Sequence, residues 1–102
     1  MRVLVISRPT SSPPKEALVP LMNACADWQA RHKSMMESFD CFVAGGSGCG
    51  IVNTPDDHAL AQMMMEFPWA PYSDVAVHLL TEGDVALQQV RDYYRQQVSA
   101  GR

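Results

Sequence analysis

The sequence predicts an α+β fold: four short strands and two helices in the order βαββαβ, with one further helix at the C-terminal end. Three observations carry this. Short apolar segments rich in Val and Ile alternate with longer segments whose apolar residues recur every three or four positions. Pro and Gly clusters separate the two kinds. A length of 102 residues predicts a single domain, 1–102, and 47% hydrophobic with 19% charged residues place it in the soluble globular class.

Met1 to Arg8 is an apolar run ended by Pro9, Thr10, Ser11, Ser12, Pro13 and Pro14, which predicts the first strand. Val3 and Val5 point to one side and Leu4 and Ile6 to the other, so both faces of this strand are expected to be covered. From Lys15 to about Glu37, Leu18, Leu21, Met22, Cys25, Trp28, Met35 and Met36 recur at helical spacing, with His32 in the same stripe. This predicts the longest helix. Pro20 lacks an amide hydrogen, so the regular helix begins near it or its first turn is distorted.

Ser38 to Ala44 reads as the second strand, Gly45, Gly46, Ser47 and Gly48 as a turn, and Cys49 to Asn53 as the third strand, together a hairpin. Thr54, Pro55, Asp56 and Asp57 predict a helix start: a hydroxyl to cap free amides, a proline at the first helical position, and acids at the positive end of the dipole. That helix is expected to run to about Phe67. After Pro68 and Pro71 the alternation resumes from Tyr72 to Leu80 as the fourth strand. Asp84 to Val98, with Leu87, Val90 and Tyr94 at helical intervals, predicts an amphipathic final helix.

These elements add up to the ferredoxin-like arrangement, an antiparallel four-stranded sheet with two helices on one face. The other face needs a cover, and the doubly apolar first strand makes the sheet of a second copy the simplest one. The expected assembly is a homodimer or higher homo-oligomer with sheets packed face to face, a dimeric α+β barrel. A net charge of −3 with eight scattered Lys and Arg residues argues against nucleic-acid and anionic-membrane partners. The apolar run Val3 to Ile6 is too short for a signal peptide core or a membrane span, so a cytoplasmic location is expected. Three cysteines without a close C-x-x-C pair predict reduced thiols rather than a disulfide framework or a zinc site.

The segment Phe42 to Leu80, FVAGGSGCGIVNTPDDHALAQMMMEFPWAPYSDVAVHLL, resembles the muconolactone isomerase-like family of dimeric α+β barrels. The resemblance lies in a glycine-rich hairpin, a polar helix start, a helix ending in FPWAPYSD, and a strand closing in VAVHLL; Pro68, Pro71 and Tyr72 carry most of its specificity. The N-terminal VLVISRP and the Trp28 to His32 helix are similar to uncharacterised relatives more than to the isomerases. The resemblance implies a small cofactor-free protein, a pocket between sheet and helices, assemblies up to decamers, and a founding activity that shifts a double bond in an unsaturated lactone by proton removal and return. Fold transfers along such a resemblance more securely than reaction.

His32, one turn after Trp28 on the apolar stripe, is expected to face the sheet, where an imidazole can accept and donate a proton near neutrality. The plainer reading is a core or interface histidine bonded to a backbone carbonyl. Arg8, on the side of Leu4 and Ile6, suits a substrate carboxylate or enolate oxygen, or else a surface ion pair. Ser7 points the opposite way in a regular strand, so the two share a pocket only if the strand bends. Tyr72 and Asp74, at the entrance of the fourth strand, are candidates for an oxyanion donor and a general base, with His78 further along the same strand. Their alternative roles are strand capping and interface burial.

Trp28, His78, Met35 and Met64 are the expected substrate-binding residues, the methionines forming a soft lining or simply filling a core. Gly45, Gly46, Gly48 and Gly50 feed a strand rather than a helix N-terminus, which argues against a phosphate-cradling loop. Cys41 and Cys49 flank that turn as neighbours. His32, His58 and His78 lie on separate elements, without metal-ligand spacing. The leading expectation is a cofactor-independent isomerase or cyclase acting on a small unsaturated lactone or polyketide-like carbonyl compound. A non-catalytic binding or assembly module and a cofactor-free oxygenase are the alternatives.

Overall fold

Strand β1 (Arg2–Pro9) runs down the middle of the sheet because both of its sides are apolar. The remaining elements of the computed structural model, which describes residues 1–43 and 47–101, follow in the expected order. They are α1 (Leu18–Arg31), β2 (Met36–Cys41), β3 (Gly48–Asn53), α2 (Asp57–Met65), β4 (Ser73–Leu79) and α3 (Gly83–Ala100). Short 3₁₀ turns at Lys15–Ala17, Lys33–Met35 and Ala70–Tyr72 join them. The sheet order is β2-β3-β1-β4 with every neighbour antiparallel, the ferredoxin-like topology. The expected end of the second strand at Ala44 and the turn glycines Gly45 and Gly46 lie outside the described residues.

Register sorts the side chains. Val3, Val5 and Ser7 of β1 lie opposite Val52, Gly50 and Gly48 of β3 and opposite Leu79, Val77 and Val75 of β4. That face carries the core: Val3, Val5, Trp28, Val52 and Met63 are buried, with Met35, Met36, Leu60, Met64, Phe67 and Val75 packed against them. Burying each such side chain contributes about 1.5–3 kcal/mol. α1 covers the face through Trp28 and α2 through Met63. On the other face Leu4, Ile6 and Ile51 are half-buried. With α1 and α2 on the far side and α3 exposed along its length apart from Ala86, no described helix covers them.

Two expectations are corrected, and the one at Pro20 holds. The first helix does not reach Glu37: it ends at Arg31, a 3₁₀ turn carries Met35, and Met36 pairs with Val52 in β2. The core requires apolar residues at Met35 and Met36, and the same spacing serves a strand that turns in under the helix. Pro20 sits in the first turn of α1, where no intrahelical donor is required, and the chain before it forms a 3₁₀ turn. Asp56, not Thr54, caps α2, accepting from the Ala59 amide at 2.8 Å. The Thr54 hydroxyl instead donates to the Asp56 carbonyl at 2.8 Å, and Pro55 stays outside the helix.

The C-terminal helix gives the chain its shape. A compact chain of this length has a radius of gyration of about 13 Å, whereas this one has 18.3 Å and extents of 67 × 26 × 22 Å. α3 extends beyond the body of the domain.

Candidate functional site

The floor of the main cleft exists because β3 presents glycine to the helix side. Gly48 and Gly50 face Ser7 and Val5 across β1 and leave a hollow where side chains would stand. A Cβ on Gly50 would come within 2.8 Å of the Ser38 carbonyl oxygen, so the position also holds β2 close to β3. The deep part is an apolar cavity of about 60 Å³ bounded by Val5, Met36, Val52, Met63 and Met64. It shares Ser7, Trp28, Phe39, Gly48 and Phe67 with an outer chamber of about 290 Å³.

Aromatic rings form the wall. Trp28 and Phe67 lie with centroids 4.8 Å apart, and the Trp28 indole donates to the Met63 carbonyl at 2.9 Å. Trp69 closes the outer chamber and meets Tyr72 edge-on at 6.0 Å. Along α1, Met22, Cys25, Ala26 and Gln29 recur every three or four residues and turn one side of the helix to this chamber. Ser7, Ser47 and Ser73 add hydroxyls at its sheet end. Burial pushes the Cys25 thiol above its ordinary pKa, partly offset by a hydrogen bond with the Trp69 side chain. The two cleft thiols, Cys25 and Cys41, are free. Cys49 pairs with Ile6 and so faces the other side of the sheet from Cys41, which separates the two cysteines of the hairpin.

The residues predicted from sequence fall into separate places. Trp28 and Met64 line the cleft, and Met35 packs on the core beneath it. Tyr72 stands at the mouth through its contact with Trp69. Arg8 is the register partner of Asp74, and with His78 they line a second hollow, of about 400 Å³, on the opposite face of the sheet. His32 is in neither group. Its Nε2 lies 2.9 Å from Glu66 Oε2, its ring centroid 5.7 Å from that of Trp28, at the ends of α1 and α2. Hydrogen bonds from Gln62 and His32 hold the Glu66 carboxyl below the usual carboxylate range. The structure therefore does not bring the guanidinium of Arg8 into one hollow with the imidazole of His32. Its partner is a carboxylate rather than a backbone carbonyl.

The sequence pattern does not mark Ser7, Gln29, Cys25, Cys41 and Trp69 as ligand contacts. For Cys25 and Gln29 a signal existed, since they share a helix face with Met22. For Ser7, the alternation of β1 already set it apart from Arg8. Among the described cleft residues there is no carboxylate and no imidazole; the cysteines are Cys25 and Cys41 around the outer chamber and Cys49 in the strand that borders the inner cavity. No three His, Cys, Asp or Glu side chains among the described residues cluster as a metal site requires, and no described helix is long and apolar enough to cross a membrane.

No protein-family model and no curated protein matches the chain. Solved structures do match in shape. Muconolactone isomerase superposes with a TM-score of 0.69 at 18% identity, over 80% of this chain and 90% of the isomerase. The 5-chloro-2-hydroxyhydroquinone dehydrochlorinase of Burkholderia phenoliruptrix, solved with 2,5-dihydroxybenzoquinone, superposes with a TM-score of 0.64 at 10% identity, over 80% of this chain and 96% of that one. At these identities the likeness concerns architecture. The resemblance read from the glycine-rich hairpin and the FPWAPYSD segment thus holds at the level of fold: this chain carries the ferredoxin-like α+β architecture of muconolactone isomerase.

Proposed function

We propose that the chain binds a small, flat, unsaturated carbonyl compound in the cleft between sheet and helices and acts on it as a cofactor-independent isomerase or cyclase. The observation that carries this reading is the cleft itself: an apolar end under Met63 and Met64, aromatic sides, and small neutral donors and acceptors from Ser7, Gln29 and Ser73. Such a lining takes a neutral ring with one or two carbonyl or hydroxyl groups and disfavours a charged substrate. A dehydrochlorinase of the same fold holds a dihydroxybenzoquinone, a ring of this kind. Trp28 and Met64 contact the substrate in this reading. His32 adjoins the Trp28 side of the cleft and carries the proton, with Glu66 orienting its ring and stabilising the imidazolium.

Arg8, Asp74 and His78 belong to the opposite face, which takes the sheet of a second copy in a homodimeric barrel. The support for this is the half-buried apolar row Leu4, Ile6 and Ile51 beneath no helix. A second functional reading, a binding module without turnover, is favoured by the lack of a carboxylate or imidazole among the described cleft residues.

Proton exchange separates the readings. The protein is titrated with a panel of lactones, enones and hydroxyquinones by tryptophan fluorescence, and deuterium incorporation from heavy water is followed by NMR. Exchange in the native chain that His32→Gln abolishes while binding persists supports the isomerase. Binding without exchange supports the module. Absence of binding across the panel overturns the assignment of the cleft.

A further inference from the structure

Two apolar strips of this chain have no cover within the described residues. The first is on α3. Leu87, Val90, Tyr94 and Val98 recur at three- and four-residue spacing along one side, and Gln89, Asp92 and Gln96 fall on the opposite one. Such a helix is built to pack, yet Leu87 is 65% and Tyr94 62% exposed. The second strip is on β4. Val77 and Leu79 lie in register with the buried Val5 and Val3, on the side that α1 and α2 cover, but at the sheet edge Leu79 remains 71% exposed.

The surface area gives the size of what is missing. A compact monomer of 11.3 kDa exposes about 5,700 Å², whereas this chain exposes 7425 Å². The excess, on the order of 1,700 Å² per chain, is about twice the 800 Å² per partner of a standard interface and falls in the range of obligate assemblies. α3, about 27 Å long, accounts for much of it, because it extends away from its own body instead of folding back over β4.

We infer that a second copy of this chain covers both strips: the α3 of each protomer lies across the Val77 and Leu79 edge of its partner in a reciprocal exchange. Both unpaired surfaces belong to one chain, so a two-fold arrangement satisfies the two at once, as a different protein would not. The inference rests on the second-copy reading above and adds the helix exchange to it. It makes the C-terminal helix part of the assembly rather than an appendage.

The test uses the full-length chain with Tyr94→p-benzoylphenylalanine, prepared with light and heavy nitrogen, unfolded and refolded together, then irradiated. Mass spectrometry is expected to find crosslinks joining α3 of one isotope to the β4 peptide of the other. Crosslinks confined to a single chain, or joining α3 to α3, overturn the exchange. Independently, Leu87→Asp with Val90→Asp is expected to halve the sedimenting mass, with the far-UV spectrum retained. Gln96→Lys, on the opposite side of the helix, leaves the mass unchanged. If the dimer persists in Leu87→Asp with Val90→Asp, the exchange is overturned and the second-copy reading stands; if the native chain sediments as one copy, both fall.

Discussion

The indole Nε1 of Trp28 donates a hydrogen bond to the main-chain oxygen of Met63 at 2.9 Å. Met63 supplies one of the last four carbonyls of α2, which no amide of the helix can reach. A side chain of α1 therefore satisfies the end of α2 directly above the cleft. Trp28→Phe keeps a ring against Phe67 but leaves that buried carbonyl unpaired. The expected cost is about 1–3 kcal/mol, read as a lowered urea midpoint with an unchanged m-value.

Gly50→Ala tests the floor of the cleft. The added methyl would stand 2.8 Å from the Ser38 carbonyl oxygen, a backbone atom that cannot swing aside. β2 must then move off β3, at an expected cost of about 1–3 kcal/mol. Thermal unfolding would show it. An unchanged midpoint would mean that the hairpin shifts freely.

The thiols are expected to differ in reactivity. Cys41 is exposed, whereas burial raises the Cys25 pKa and the Trp69 hydrogen bond opposes this only in part. Because the thiolate is the nucleophile, iodoacetamide at neutral pH should alkylate the exposed Cys41 faster than Cys25. The rate at Cys25 should keep climbing above the ordinary thiol range. A ligand seated in the cleft protects both, so peptide mapping also reports occupancy.

Acid should loosen the joint between α1 and α2. Gln62 and His32 favour ionised Glu66, so its folded pKa lies below its unfolded one. The stabilisation is complete above the unfolded value of about 4.3 and is lost as pH falls through the lowered folded value. Glu66→Gln should flatten the fall in thermal midpoint over that acid range and leave the midpoint's slope above pH 6 nearly unaltered.

At the other end of the sheet, Glu37 accepts from Asn53 at 2.7 Å and from Arg2 at 2.9 Å, and both hold its carboxyl below the usual range. Glu37→Gln should likewise reduce acid sensitivity. It should do so without changing Cys25 alkylation, since the Glu37 carboxyl is held by Arg2 and Asn53 and is not part of the chamber that Cys25 lines.

By itself the sequence determined the order of elements and the central place of β1. Alternation in Val3 to Ile6, the proline clusters, and the acids before Ala59 act over a few residues, and local backbone preference is enough to express them. It also determined that Ser7 and Arg8 part company, because successive residues of a strand face opposite sides. Tertiary structure alone decided where α1 stops, since Met35 and Met36 record a demand for burial that helix and strand meet equally well. It alone gave His32 its partner: Glu66 stands 34 positions away, and only the packing of two helix ends brings such residues together. The cleft residues Cys25, Gln29 and Trp69 became a set for the same reason, because a cavity belongs to the space between elements and no one element's periodicity encodes it.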